Sequence, residues 1–241
     1  PADVATLTEI LAAPVTLLVH AALDYVAAPL GECDRATVER ALAAKVSGLH
    51  RVLEALEPSA GDGGDVRALS GVLLCSSLAG TLGGREQGLY AAGNALLDAE
   101  AAALRRRGIP ATAIAWGLWR AVGPLSAEEV DRVTATGVIP MAPDAALAAG
   151  ARIRDYDPVV MSADWRQLRE VLALAGQEKL FGEVEARDPV ESAPAAPAEP
   201  MKIALLTYGL VTGDAWNSLG YDGLKKAEAE LGAQIALTDN L

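Results

Sequence analysis

The sequence predicts an α/β chain built on a doubly wound parallel sheet, with a linker and a partial βαβ unit behind it. Three observations carry this. Apolar runs at Val15–Val19, Val72–Cys75 and Ala111–Trp116 are continuous rather than alternating, as strands buried on both faces are. Helical stretches with an apolar stripe separate them, the arrangement that parallel strands require. Finally, the Ala/Pro-rich acidic run Glu183–Pro200 interrupts the pattern, and a new strand begins at Lys202. With 51% hydrophobic but only 4% aromatic residues, the core must be aliphatic, packed from Ala, Val and Leu. At 241 residues the chain has room for one large domain or two small ones.

In chain order, Pro1-Ala-Asp3-Val4 reads as the end of a strand whose start is missing, and a helix is expected over roughly 5–13. Val15–Val19 is the next strand and delivers His20-Ala21-Ala22 at its carboxyl end. Asp34 is a plausible N-cap for a helix to Leu56, with Val38, Leu42, Val46, Leu49 and Leu53 as its apolar stripe and Lys45 beside it. Residues 57–68 hold Gly61-Asp-Gly-Gly-Asp65 and read as a surface loop. The strand at 72–75 ends in Ser76-Ser77 and a Gly-rich loop. Tyr90 opens a helix that closes on an Arg triplet, Gly108 and Pro110. The strand to Trp116, helices near 127–134 and 144–152, a short strand at 158–161 and a helix from Asp164-Trp165 to about Leu174 complete this part. Beyond the linker, a strand at 202–207, a helix at 218–231 and a strand at 234–238 make one βαβ unit, too short to fold stably alone.

The net charge of −12 argues against nucleic acid and anionic membranes as partners. No apolar run approaches the ~20 residues of a membrane span. The N-terminus lacks the basic region of a signal peptide and carries Asp3 and Glu9. The two cysteines, Cys33 and Cys75, have no metal-ligand spacing; Cys75 reads as a core residue, no metal site is expected, and a cytoplasmic location fits.

Chemistry in an open α/β sheet collects where strands end and helices begin. Here a hydroxyl, Ser77, stands at a strand end and a phenol, Tyr90, thirteen positions later at a helix start. Tyr90 and Asn94 are i and i+4 and share a face. This stretch, Ser76-Ser77, Gly84-Arg-Glu-Gln-Gly88-Leu-Tyr90-Ala-Ala-Gly-Asn94-Ala-Leu-Leu-Asp98, resembles the ketoreductase domain of modular polyketide synthases, a branch of the short-chain dehydrogenase/reductase superfamily with a Rossmann-like fold. The resemblance runs from Asp3 to about Leu174 and includes Gly137-Val-Ile-Pro140 and Asp164-Trp165. It implies reduction of a β-ketoacyl thioester by NADPH, the substrate carried on the phosphopantetheine arm of an acyl carrier protein, with other synthase domains as neighbours. By this resemblance Tyr90 is the acid, Ser77 a second donor to the carbonyl, Lys45 the cation that lowers the phenol's pKa and binds the nicotinamide ribose, and Asn94 the link between them. Asp3 and Val4 would meet the adenine. His20, Ala21, Ala22 and Ser76 would line the cofactor, and Trp116-Gly117-Leu118 would lie beneath the nicotinamide. Against these roles stand simpler ones: packing for Tyr90, a snorkelling surface position for Lys45, a buried polar group for Asn94. The family's markers of product handedness fall at Tyr25-Val26-Ala27 and Leu82 and are not matched, so handedness is not legible.

The family also has a Gly-rich first turn that holds the cofactor's pyrophosphate. That unit would precede Asp3, so residues 1–241 alone are expected not to bind NADPH, and the sheet edge near Val15–Val19 is expected to be unpaired and apolar. The chain is thus read as a partial ketoreductase-like domain at 1–182, a linker at 183–200 and a tail at 201–241. The tail's Lys202-Ile-Ala-Leu-Leu, Asp214-Ala-Trp216-Asn217 and Gly220-Tyr-Asp-Gly-Leu-Lys225 resemble the opening of substrate-binding proteins of the basic-membrane-protein type, relatives of nucleoside receptors. The competing reading of the whole is a non-catalytic structural remnant fused to a fragment of such a solute-binding protein.

Overall fold

The computed structural model describes residues 15–56, 69–120, 123, 125–181, 184, 202–206, 225 and 234–238. The strand end at Asp3-Val4, the helix at 5–13, the loop at 57–68, most of the linker and the ligand-loop residues Asp214, Trp216 and Asn217 lie outside them.

Six parallel strands form the main sheet. Their sequence order is β1 (Leu17–His20), β2 (Gly71–Ser77), β3 (Ala111–Trp116), β5 (Val159–Val160), β7 (Lys202–Leu206) and β8 (Gln234–Thr238), and their spatial order is β5-β3-β2-β1-β7-β8. A separate antiparallel pair, β4 (Val138–Ile139) with β6 (Ser162–Ala163), is not visible in the hydrophobic pattern because each strand has only two residues. The Rossmann-like parallel sheet expected from the apolar runs is present.

One difference from expectation concerns β1. Its outer edge is not open: Leu17–His20 pairs in parallel with Ile203–Leu206 of β7, and β7 in turn pairs with β8. The strands of the tail therefore extend the sheet at the edge expected to be bare. A strand edge with unpaired N–H and C=O groups takes any complementary strand within reach, and sequence patterning does not show which one.

Strand side chains alternate between two layers. One face carries Leu18, Val72, Leu74, Ala111 and Ala113, which pack with Leu49, Val52, Leu53, Leu97, Ala101 and Leu104. These come from helix α2 (Gly48–Leu56) and the 19-residue helix α4 (Gly88–Arg106). The other face carries Leu73, Ile114 and Trp116 with Leu17, Val19 and Cys75, covered by Ala146 of helix α6 (Pro143–Gly150) and by Ile153. Gly150 is required there, since an added Cβ would meet the Trp116 ring at 2.4 Å.

The helix expected at 34–56 is interrupted. Asp34 does cap α1 (Arg35–Leu42), accepting from Thr37 N–H, but Ala43–Ser47 is a π-helical turn before α2 resumes. One extra residue in that turn rotates everything after it. Lys45 sits in the turn and is swung inward. Helix α3 (Ala79–Leu82) is a single turn in the Gly-rich loop. Helices α5 (Ala127–Thr134) and α7 (Trp165–Leu174) pack beyond the carboxyl ends of the strands, α5 closed by a capping box of Ser126 and Glu129.

Candidate active site

The carboxyl ends of β1, β2 and β3 open into a cleft of about 410 Å³. Its base carries Lys45, Ser77 and Tyr90, one wall is Trp116-Gly117-Leu118, and the far side is made by Glu129, Val133, Leu168 and Leu172 of α5 and α7. Register explains the first wall: Ser77 is paired with Trp116 across β2 and β3, so the hydroxyl and the indole reach the same end of the sheet.

Lys45 is 5% exposed. Its ammonium donates to the Cys75 carbonyl at 3.0 Å and stands over the Tyr90 ring, 5.7 Å from the centroid. Burial lowers its pKa to about 8, against the pull of Cys75 and Asp98 toward the charged form. The surface-lysine alternative for this residue is therefore removed by the π turn. The lysine stem passes beside Gly93, where an added Cβ would meet Lys45 Cδ in ordinary contact at 3.6 Å.

Tyr90 faces the cleft from the first turn of the helix, as expected, two residues after Gly88. The phenol's pKa is raised rather than lowered. Burial is the larger cause, and hydrogen bonding by Ser77 and Asn94 opposes it. The expectation that Lys45 would pull this phenol down is corrected for the resting molecule, because the ammonium lies over the ring face while the hydroxyl is desolvated. Ser77 Oγ also accepts from Ala79 N–H at 3.2 Å, which ties it to α3.

Three of the expected residues, Asn94, His20 and Ala22, do not line the cleft. Asn94 is fully buried, and its Nδ2 donates to the Tyr90 carbonyl at 2.8 Å. It acts on the helix turn that carries Tyr90 and, from behind the cleft, favours the ionised form of the Tyr90 phenol. Its Oδ1 has no partner among the described residues. His20 is not part of the cleft wall either: its ring is 2% exposed and its Nε2 donates to the Lys45 carbonyl at 2.8 Å, tying β1 to the π turn. Burial and Lys45 push His20 down to about 4, so the ring is neutral and Nε2 carries the proton. Ala22 is buried core, whereas Ala21 lines the cleft. Ser76 donates to the Asn94 carbonyl at 3.3 Å, and Cys75, read as a core residue, packs partly buried in the second core layer and also borders the cleft. Among the described residues no group of three or more His, Cys, Asp or Glu is placed to hold a metal ion, and no helix is long and apolar enough to cross a membrane.

Residues 2–121 match the family profile of the KR domain. The chain belongs to the KR family. The chain is 34% identical over 189 residues to the pikromycin polyketide synthase component PikAIII of Streptomyces venezuelae, 77% of its own length and 12% of that protein. It is 38% identical over 135 residues to the erythronolide synthase EryA2 of Saccharopolyspora erythraea, covering 4% of it. Thus the chain spans a small fraction of the curated relatives it matches. In structure it superposes on the first ketoreductase of the tylosin synthase with a TM-score of 0.62 at 31% identity, over 72% of this chain and 38% of that one. For the ketoreductase from the first module of phoslactomycin biosynthesis in Streptomyces sp. HK803 the TM-score is 0.63 at 32% identity, over 72% and 40%.

Gln87, Glu129 and Arg132 also line the cleft and were not singled out from sequence. Gln87 lies within the matched motif and was legible there as a neighbour of Tyr90. Glu129 and Arg132 come from a helix with no motif of its own.

Proposed function

We propose that this ketoreductase reduces a β-ketoacyl thioester, carried on the phosphopantetheine arm of an acyl carrier protein within a polyketide synthase, with NADPH as the reductant. The observation that carries the reading is the convergence of Lys45, Ser77 and Tyr90 at the base of one cleft. The donor set suits a nicotinamide ribose: the Lys45 ammonium spends one N–H on Cys75 and has two more for ribose hydroxyls. Ala21 and Trp116-Gly117-Leu118 supply an apolar wall for the ring. Asp3 and Val4, in the proposal, meet the adenine. The bound reduced nicotinamide supplies the hydride.

The chain's own residues handle the proton. Desolvation keeps the Tyr90 phenol protonated at rest, the state a general acid needs. Ser77 donates to the ketone oxygen and holds it beside the phenol. As the carbonyl carbon is reduced, its oxygen takes the phenolic proton and becomes the hydroxyl. The negative charge left on Tyr90 is stabilised by the Lys45 ammonium, whose attraction grows as the phenolate forms. Asn94 fixes the turn bearing Tyr90 through its carbonyl.

The test is NADPH oxidation with a β-ketoacyl thioester in the full synthase setting. Tyr90→Phe is expected to lose about 10²–10⁴-fold in turnover, with cofactor binding by calorimetry retained. Wild-type turnover in that variant overturns the assignment.

A further inference from the structure

One polar chain beside the catalytic residues is not used by the mechanism above. Tyr25 lies in the segment that follows β1, and its ring meets the Tyr90 ring edge-on, centroids 5.2 Å apart at 77°. Gln87 Nε2 donates to the Tyr25 hydroxyl at 3.1 Å, and that hydroxyl donates to Glu129 Oε1 at 2.7 Å. Gln87 precedes the Tyr90 helix; Glu129 belongs to α5, across the cleft. The other Glu129 oxygen is already committed, accepting from Ser126 N–H and Oγ, both at 2.8 Å, so the carboxylate joins the cap of its own helix to Tyr25.

The segment bearing Tyr25 is itself fixed to the start of the Tyr90 helix. Ala28 N–H donates to the Glu86 carbonyl at 2.8 Å, and Val26 packs with Leu89 and Ala41. Tyr25 thus has one firm side, against Tyr90, and one contact that reaches over to a helix with no buried residue of its own. The charge-assisted bond from Tyr25 to Glu129 ties the first turn of α5 to the sheet side of the cleft.

We propose that Tyr25 is a positioning residue: through Gln87→Tyr25→Glu129 it latches helix α5 over the cleft and holds the plane of the Tyr90 ring, so that one orientation of the ketone is presented to Tyr90 and Ser77. The catalytic part of this statement rests on the ketoreductase reading; the latch itself does not.

Two measurements separate these levels. Tyr25→Phe keeps the edge-on ring and removes the hydroxyl. In the ligand-free chain, amide hydrogen exchange over 127–134 is expected to rise about tenfold, the scale of losing one hydrogen bond to a charged group, while the interior of the helix at 88–106 stays as in the wild type. Glu129→Gln keeps an amide oxygen for Ser126 and replaces the charged acceptor by an N–H, from which Tyr25 can only accept; it is expected to give a smaller local rise of several-fold, from the lost charge assistance, and reads the bond if Tyr25→Phe does not fold. Unchanged exchange over 127–134 in the folded variants overturns the latch whatever the chain's activity. In the full synthase setting, Tyr25→Phe is expected to raise KM several-fold more than it lowers kcat and to erode the ratio of the two alcohol epimers. Faster exchange together with an unchanged KM and epimer ratio overturns the positioning role and leaves the reductase reading intact.

Discussion

Replacing Lys45 by methionine tests the π turn and the buried cation together. The folded chain holds this lysine at about 8, against an ordinary value of 10.5. At about 1.4 kcal/mol per pH unit, that gap is worth about 3 kcal/mol. Below pH 8 the lysine is protonated in both the folded and the unfolded chain, and the folded state bears the full cost of a desolvated charge. Between about 8 and 10.5 the unfolded chain still holds a proton that the folded chain has released, so rising pH stabilises the wild type through this group. Cys75 and Tyr90, both raised by burial, act in the opposite sense as pH rises. They remain in the variant, so the comparison removes them. The methionine also leaves the Cys75 carbonyl without its donor, an offset of about 1–3 kcal/mol that does not titrate. Urea unfolding of both chains at pH 7, 8, 9 and 10 is expected to show a stability difference that moves by about 2–3 kcal/mol in favour of the wild type across this range. A difference that is flat with pH refutes the burial of the charged lysine.

Two other outcomes follow from the same geometry. Ser77→Ala removes one donor to the carbonyl and leaves the acid in place, so turnover in the full synthase setting is expected to fall by ~10²-fold with little change in cofactor binding; a loss equal to that of removing the Tyr90 hydroxyl would make Ser77 essential to proton delivery instead. Ending the chain at residue 184 removes β7 and bares the β1 edge, and light scattering is expected to show concentration-dependent association that the 241-residue chain lacks; a monodisperse truncated chain would mean that β7 is dispensable for covering that edge.

The site was legible where its residues sit at fixed spacings within one strand–loop–helix unit. Ser77 and Tyr90 belong to β2 and α4, and local geometry alone brings a strand end and the next helix start together. Trp116 was named only through the resemblance; the register of β3 with β2 is what puts it on the same rim as Ser77. Asn94 and His20 were visible as polar groups near that rim, but their direction was not. Both turn into the protein and hydrogen-bond backbone carbonyls, Asn94 that of Tyr90 and His20 that of Lys45. A side chain's direction at a strand end or on a helix depends on what is packed above it, which no spacing states.

The sequence by itself determined the parallel sheet, because continuous aliphatic runs have no soluble alternative to burial on both faces, and it determined the unit that carries the phenol and the hydroxyl. Tertiary structure alone decided the rest. A stripe of helical period does not show that one extra residue is accommodated at Ala43–Ser47, yet that turn changes Lys45 from a flanking lysine into a buried cation over Tyr90. Nor does a tail beyond an Ala/Pro-rich run show that its strand joins β1, since unpaired backbone has no sequence preference for its partner. The contact between Tyr25 and Glu129 joins residues 104 apart, and only the closure of the whole chain brings that phenol to that carboxylate.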